Sequence, residues 1–375
     1  MFLNSQMQDL GVEPGFLVLS DGSTYQVGIL GYGEAMPSSG YISAEFVFNT
    51  SLSGYQEILT DPSYAGQGVV FTYPHIGNYG VTTADFESRG VFAKAVVVRN
   101  YTTRPSNWRS EMPLHQMLEA ESVPLVVGAD TRRLTRHLRT KGALAGVVGT
   151  LPIGELERLA KSARTTDGID MVSGVSSSES VDHGGSGKKV VAFDFGIKAS
   201  MIEQLKNRFS LTVVPAHTTA AEVLALNPDG VFFSNGPGDP EPLDFATDAI
   251  SGLVGAVPSF GICLGHQLMA RALGASTYKL PFGHHGGNHP VSDSETGKVE
   301  VTAQNHNYAV SRESLSMVST KVEVTHVNLN DGVIEGLAYP EKAAFSVQYH
   351  PEAGPGPHDS YYLFDRFEEI MERGI

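Results

Sequence analysis

Between residues 190 and 275, short apolar runs alternate with segments of helical spacing, and this rhythm restricts the fold more than any other feature of the chain. Residues 190–195, 211–215, 231–235 and 257–262 are runs of five or six mostly apolar residues. Helical spacing follows at 197–208, 219–226 and near 244–255. Strands that lack polar alternation are buried on both faces, and intervening helices provide the cover. The reading is a doubly wound α/β domain with a mainly parallel sheet, whose ligands bind beyond the carboxyl ends of the strands. After about residue 276 the runs shorten, and the chain closes on a helix at 359–372.

The first half has a different order. Strand-like runs come first, at 16–20, 25–30, 44–49, 68–72 and 91–99, and helical patterns follow around 113–121, 132–141 and 153–163. That order suggests an α+β domain. Between the halves, 174–187 is small and polar, with little to bury, and suits a flexible connection. The expected organisation is therefore an α+β domain at 1–173, a linker at 174–187 and the α/β domain at 188–375.

Charge excludes one class of partner. There are 26 basic against 41 acidic residues, a net charge of −15, so nothing supplies the basic surface that nucleic acid requires. The one basic helical segment, 130–141, reads as a solvated or interface-forming face. No apolar run reaches 18 residues, and the first residues lack the basic start and apolar core of a secretory signal. No membrane association and a cytoplasmic address are expected.

A single cysteine excludes an internal disulfide and any multi-thiolate metal site. Its setting is informative. Gly261-Ile-Cys263-Leu-Gly265 follows an apolar strand and precedes a helical pattern through Leu268, Met269, Ala272 and Leu273. This is the G-x-nucleophile-x-G elbow with cysteine at its centre. With 41 glycines in 375 residues, flanking glycines arise by chance at roughly 1% per cysteine. The turn exposes the thiol at the carboxyl edge of the sheet. The following helix presents free N–H groups and the positive end of its dipole to the sulfur, and the thiolate is the reactive form. The N–H of Leu264 is a natural oxyanion donor.

A nucleophile of this kind needs a base and an orienting group. Of 13 histidines, His350 follows another apolar run at 343–349 and precedes Pro351-Glu352, so Cys263, His350 and Glu352 form a candidate triad. Ser234-Asn-Gly236-Pro-Gly238-Asp-Pro240 leaves a strand as a rigid loop whose N–H groups suit an oxyanion or a polar ligand. His284-His285-Gly-Gly-Asn-His289 invites a metal reading. No acid or cysteine lies near it in sequence, and a structural turn is favoured. Gln304 to Tyr308 reads as a polar turn between strands. The elbow and triad alone do not fix a substrate: a free-standing cysteine hydrolase of γ-glutamyl bonds, or a non-catalytic docking subunit, stays open at this level.

Taken together, these residues resemble the class I (triad) glutamine amidotransferases. The chain is further similar, over nearly its whole length, to the small-subunit family of carbamoyl phosphate synthetases. Carrying that likeness are Phe282-Gly-His-His-Gly-Gly-Asn-His-Pro-Val291, His350-Pro-Glu-Ala-Gly-Pro-Gly-Pro-His-Asp359, Phe48-Asn-Thr-Ser-Leu-Ser-Gly-Tyr-Gln-Glu-Ile-Leu-Thr-Asp-Pro-Ser-Tyr64, Tyr73-Pro-His-Ile-Gly-Asn78 and Asp130-Thr-Arg-Arg-Leu-Thr-Arg136. The resemblance implies that Cys263 attacks the amide of L-glutamine to give a glutamyl thioester, with His350 moving protons and Glu352 orienting it. It also implies that Leu264 and Gly236 hold the oxyanion. Ser63, Gly238, Gln267, Asn305, Asn307 and Tyr308 fall where the family binds glutamine. Ammonia would pass to a large subunit that makes carbamoyl phosphate from bicarbonate with ATP and Mg²⁺, for arginine and pyrimidine synthesis, as a heterodimer. No cofactor or metal is implied in this chain, which has no glycine-rich nucleotide loop. Asn307, Tyr308 and Tyr349 depart from the glycine, phenylalanine and glycine of the family pattern; asparagine tolerates positive φ best among non-glycine residues.

Overall fold

The computed structural model describes residues 11–31 and 37–374. The chain divides between Asp167 and Gly168 into two compact units.

In the first unit, seven strands close into a barrel. Around it run Glu13–Leu19, Thr24–Leu30, Leu125–Val127, Ala95–Val97, Gln67–Phe71, Tyr41–Asn49 and Leu144–Gly149. The strands expected at 16–20, 25–30, 44–49 and 68–72 are present; the run at 91–99 shortens to Ala95–Val97. The simple order of strands then helices does not hold, because Leu125–Val127 and Leu144–Gly149 lie between the helices and complete the barrel. Leu144–Gly149 pairs with Glu13–Leu19 on one side and Tyr41–Asn49 on the other. Its glycines permit close backbone approach. A Cβ on Gly146 would sit 2.7 Å from the Val18 carbonyl oxygen, and one on Gly149 2.5 Å from that of Gly40. The helix Ile153–Ser162 presses Leu156 and Ala160 onto Val18 and Val147.

The second unit carries a ten-stranded sheet. Its order is Val181–Gly184, Ser210–Pro215, Lys189–Asp194, Gly230–Phe233, Ser259–Ile262, Ala344–Val347, Ile334–Tyr339, Glu323–Asn328, Thr277–Asp293 and Val299–Val310. The five strands from Ser210–Pro215 to Ala344–Val347 are mutually parallel. Antiparallel strands flank them, so the sheet is mixed, with the expected doubly wound part at its centre. Alternation along the apolar runs feeds two cores. Val191, Phe193, Val231 and Phe233 face the helices Asp244–Leu253 and Leu264–Ala272. Val190, Ala192, Phe232 and Phe260 face Ala199–Lys206 and Tyr362–Arg373. Burial on both faces is why these strands lack polar alternation.

Three expectations are corrected. The stretch 174–187 does not separate the units. Val172 and Val175 are buried, and Val181–Gly184 pairs antiparallel with Ser210–Pro215 as an edge strand. All four of its residues are exposed, and an exposed edge carries the same polar composition as a linker. The segments 284–289 and 304–308 are not turns either. They belong to the long strands Thr277–Asp293 and Val299–Val310, whose pairing shifts register between Lys279 and His284 and again between Gly286 and His289. Gly283 and Gly286, at φ 68 and 158, accommodate those bulges. Asn307 lies within the second of these strands, so its tolerance of positive φ is not used. No helix among the described residues is long and apolar enough to cross a membrane.

Because Val175 is buried within this stretch, Val175→Ala should cost about 2 kcal/mol, from two lost methyl groups and the cavity they leave. Val181→Ala, at a position 45% exposed, should cost less than about 0.5 kcal/mol. Urea unfolding of the full chain followed by circular dichroism checks both; equal, negligible losses would restore the linker.

Candidate active site

The strand Ser259–Ile262 runs into Cys263, whose φ of 54° and ψ of −105° are strained for a residue with a side chain, and the helix Leu264–Ala272 starts immediately after it. Three hydrogen bonds fix this turn. The Cys263 N–H donates to the Val347 carbonyl at 2.9 Å, Gly265 N–H to that of Ser234 at 3.0 Å, and Gln267 N–H to that of Cys263 at 3.1 Å. The flanking glycines are dictated by space. A Cβ on Gly265 would lie 2.1 Å from the Phe233 carbonyl oxygen, and one on Gly261 2.5 Å from the Met269 sulfur. The thiol is buried and donates to the Asn305 carbonyl at 3.5 Å.

His350 leaves the strand Ala344–Val347 and is tied by its N–H to the Ala303 carbonyl at 2.9 Å. Its Nδ1 lies 2.7 Å from Glu352 Oε1. Among the described residues Nε2 makes no well-formed hydrogen bond, and the ring interacts electrostatically with Cys263. Burial alone would lower the His350 pKa. The charges of Glu352 and Cys263 outweigh it and push the value up to about 10.

Glu352 is itself buried, which would raise its pKa, yet it is held below the usual carboxylate range by the Lys198 ammonium and by His350. Lys198 Nζ is 3.0 Å from Glu352 Oε1 and donates to the Ala353 carbonyl at 2.5 Å. The result is a buried line of interacting groups, from Lys198 through Glu352 and His350 to Cys263. Lys198 escaped the sequence reading. A lysine ahead of a helix ordinarily reads as solvated, and its partner is 154 residues away. Its position just past the carboxyl end of Lys189–Asp194, where such sheets bind ligands, was the one available signal.

Against known proteins, a family model described as Glutamine amidotransferase class-I matches residues 191–370. A second, described as Carbamoyl-phosphate synthase small chain, CPSase domain, matches residues 17–148. The chain is 48% identical to the carbamoyl phosphate synthase small chain of Listeria innocua, over 95% of this chain and 96% of that one. It is 50% identical to that of Chlorobaculum tepidum, over 96% and 98%. It is 48% identical to the pyrimidine-specific small chain of Bacillus subtilis, over 95% of each. The chain belongs to the carbamoyl phosphate synthase small chain family.

As a member of this family, the chain places most of its expected ligand-contacting residues in the second unit. Gly236 packs its backbone against the start of the elbow helix. A Cβ there would meet the Phe195 carbonyl oxygen at 2.3 Å and Leu264 Cδ2 at 2.7 Å. The Ser234 hydroxyl, accepting from Phe195 N–H at 3.0 Å and donating to the Asn235 carbonyl at 2.9 Å, stiffens that loop. Gly238 has φ +81 and backs onto Met171. Gln267 is buried, its amide donating to the Tyr308 carbonyl at 2.8 Å and to Gln348 Oε1 at 3.0 Å. His285 bridges Asn305 and Asn307, with Nδ1 2.9 Å from one side-chain oxygen and Nε2 3.0 Å from the other. The Tyr308 ring is buried, with Lys279 Nζ 5.9 Å from its centre. Tyr349 is fully buried and edge-on to His326. Ser63 belongs to the first unit, in the turn Pro62–Tyr64, where its N–H donates to Asp61 Oδ1 at 2.8 Å.

Removing one member of a buried ion pair leaves the other charge uncompensated. Lys198→Met should therefore destabilise the chain by about 3–5 kcal/mol. Chemical denaturation measures it, and a loss under about 1 kcal/mol would show that Lys198 does not support Glu352.

Proposed function

We propose that this chain is the glutamine-hydrolysing subunit of a carbamoyl phosphate synthase and that Cys263, His350 and Glu352 are its catalytic residues. The observation that carries the reading is the buried line from Lys198 to Cys263 at a strained elbow. Support comes from the class-I amidotransferase match over 191–370 and from relatives named as small chains that align along almost the whole sequence.

The Cys263 thiolate attacks the side-chain carbonyl carbon of L-glutamine, forming a C–S bond while the carbonyl electron pair moves to oxygen. N–H groups of Leu264 and Gly236 stabilise that oxyanion. The His350 imidazolium gives its Nε2 proton to the amide nitrogen; the C–N bond breaks, ammonia leaves and a glutamyl thioester remains. Neutral His350 then takes a proton from water, the hydroxyl adds to the thioester and the C–S bond breaks. Glutamate departs, and thiolate and imidazolium are restored. Glu352 holds Nδ1–H throughout, and Lys198 keeps Glu352 ionised. Gly238, Asn305, Asn307 and Tyr308 contact the glutamine, and Gln267 acts by holding the Tyr308 carbonyl in place. Ammonia passes to a large-subunit partner in the cytoplasm, forming a heterodimer. That partner supplies the ATP and Mg²⁺ chemistry on bicarbonate for arginine and pyrimidine synthesis. This chain contributes no cofactor.

In the complex with that large subunit, Cys263→Ala should reduce glutamine-dependent carbamoyl phosphate synthesis by ~10³-fold or more while ammonia-dependent synthesis continues. Loss of both activities, or of neither, contradicts the proposal. Glu352→Gln removes a charge that raises the His350 pKa. The imidazolium acid is therefore lost at lower pH, and the alkaline limb of the kcat profile for glutamine hydrolysis should move acidward. An unmoved limb would show that Glu352 does not set the protonation of His350.

A further inference from the structure

The polar segment His284 to His289, read from sequence as a turn, forms part of a strand that meets two others in a buried cluster. We propose that His284, His306 and Glu335 bind one divalent transition-metal ion of the zinc type, at a site that no step of the amide chemistry uses. The three residues come from the strands Thr277–Asp293, Val299–Val310 and Ile334–Tyr339, and all are buried. One donor atom from each lies within 4.8 Å of the others.

The spacing fits a shared ion better than a hydrogen bond. His284 Nδ1 stands 3.6 Å from Glu335 Oε1, beyond hydrogen-bond range. Ligands bonded at about 2.0–2.1 Å in a tetrahedron are separated by about 3.3–3.4 Å. Among the described residues, His284 Nδ1 and Glu335 Oε2 are both buried without a hydrogen-bond partner. Each histidine is oriented through its other nitrogen. His284 Nε2 donates to Asp331 Oδ2 at 2.8 Å, and His306 Nδ1 donates to the Tyr308 carbonyl at 2.7 Å. A carboxylate or carbonyl behind each imidazole is the usual support for a metal-bound histidine. Asn328 likewise donates to Glu335 Oε1 at 2.8 Å.

His306 adds a second argument. With Nδ1 as donor, Nε2 bears a lone pair, yet it faces Gln304 Oε1 at 2.9 Å. The Gln304 amide nitrogen lies 3.0 Å from Thr302 Oγ1, so in this orientation of the amide two acceptors oppose each other. A cation resolves that contact. His289, whose ring is 5.0 Å from that of His284 and whose Nδ1 is buried without a partner, is placed to complete the coordination. Two imidazoles and one carboxylate favour Zn²⁺, Co²⁺ or Ni²⁺ over Mg²⁺ or Ca²⁺. The competing state is an ion pair, with a His284 imidazolium between Asp331 and Glu335. Binding expels that proton to solvent, and the ion then staples three strands, including the one that carries Asn305.

The test uses the full chain without an affinity tag and with Cys263→Ala, so that the nucleophilic thiol cannot bind metal. After chelator treatment and dialysis, Zn²⁺ titration by calorimetry and elemental analysis should give one ion per chain. Zn²⁺ should also raise the melting temperature. Glu335→Gln and His284→Asn should each weaken binding by ~100-fold or more, and Asp331→Asn, outside the ligand set, by about 10–100-fold. Should the buried variants fail to fold, the part-exposed Asp331 position still decides the matter. An ion pair only, seen as no saturable uptake, overturns the proposal. So does one-ion uptake that none of the three substitutions weakens.

Discussion

Everything at the carboxyl edge of the parallel strands in the second unit depends on one carboxylate, Glu352, shared between a buried lysine and a buried histidine. An ionised group in that position would be costly alone. Lys198 on one side and His350 on the other make the charge tolerable, and the Ala353 carbonyl fixes the lysine. The carboxylate in turn keeps the imidazole oriented and charged. In the proposed mechanism, the Cys263 sulfur held beside a buried imidazolium at a strained backbone is the nucleophile, with its proton carrier already in place. The surrounding fold supplies the rigidity. Parallel strands buried on both faces deliver Lys198, Cys263 and His350 to the same sheet edge, because each lies just past the carboxyl end of its strand.

How much of this was legible in the sequence depended on how local the signal was. The elbow was legible because its requirements are local: a strand, two glycines at fixed spacing and a helix. His350 and Glu352 were legible because an apolar run pointed at them. The doubly wound strands announced themselves through burial on both faces. Lys198 was not legible, since its meaning comes from a partner far along the chain. Nor were the bulged strands around His284 and Asn307, where polar residues and glycines imitate a turn while their side chains fill a buried network. Leu144–Gly149 hid for a similar reason, its glycines being needed for close strand contact. The polar edge strand Val181–Gly184 imitated a linker, because composition reports exposure and says nothing of pairing.

Asn307 shows how a polar side chain is held within a buried strand. Its backbone stays extended, and its side chain reaches the ring of His285, which also holds Asn305. The carbonyl of Asn305 is the group that accepts from the Cys263 thiol. Asn307 is thus tied to Cys263 through one histidine, and His306, between the two asparagines, belongs to the neighbouring cluster with His284 and Glu335.

The central claim is that His350 is an imidazolium under working conditions because Glu352, itself held ionised by Lys198, stabilises it. The most direct measurement is a pH titration of the full chain by ¹⁵N NMR with labelled histidine, assigning His350 through His350→Asn. The account predicts that both ring nitrogens stay protonated through neutral pH and release a proton only near about 10. Titration near the ordinary histidine value of about 6.5 would contradict it.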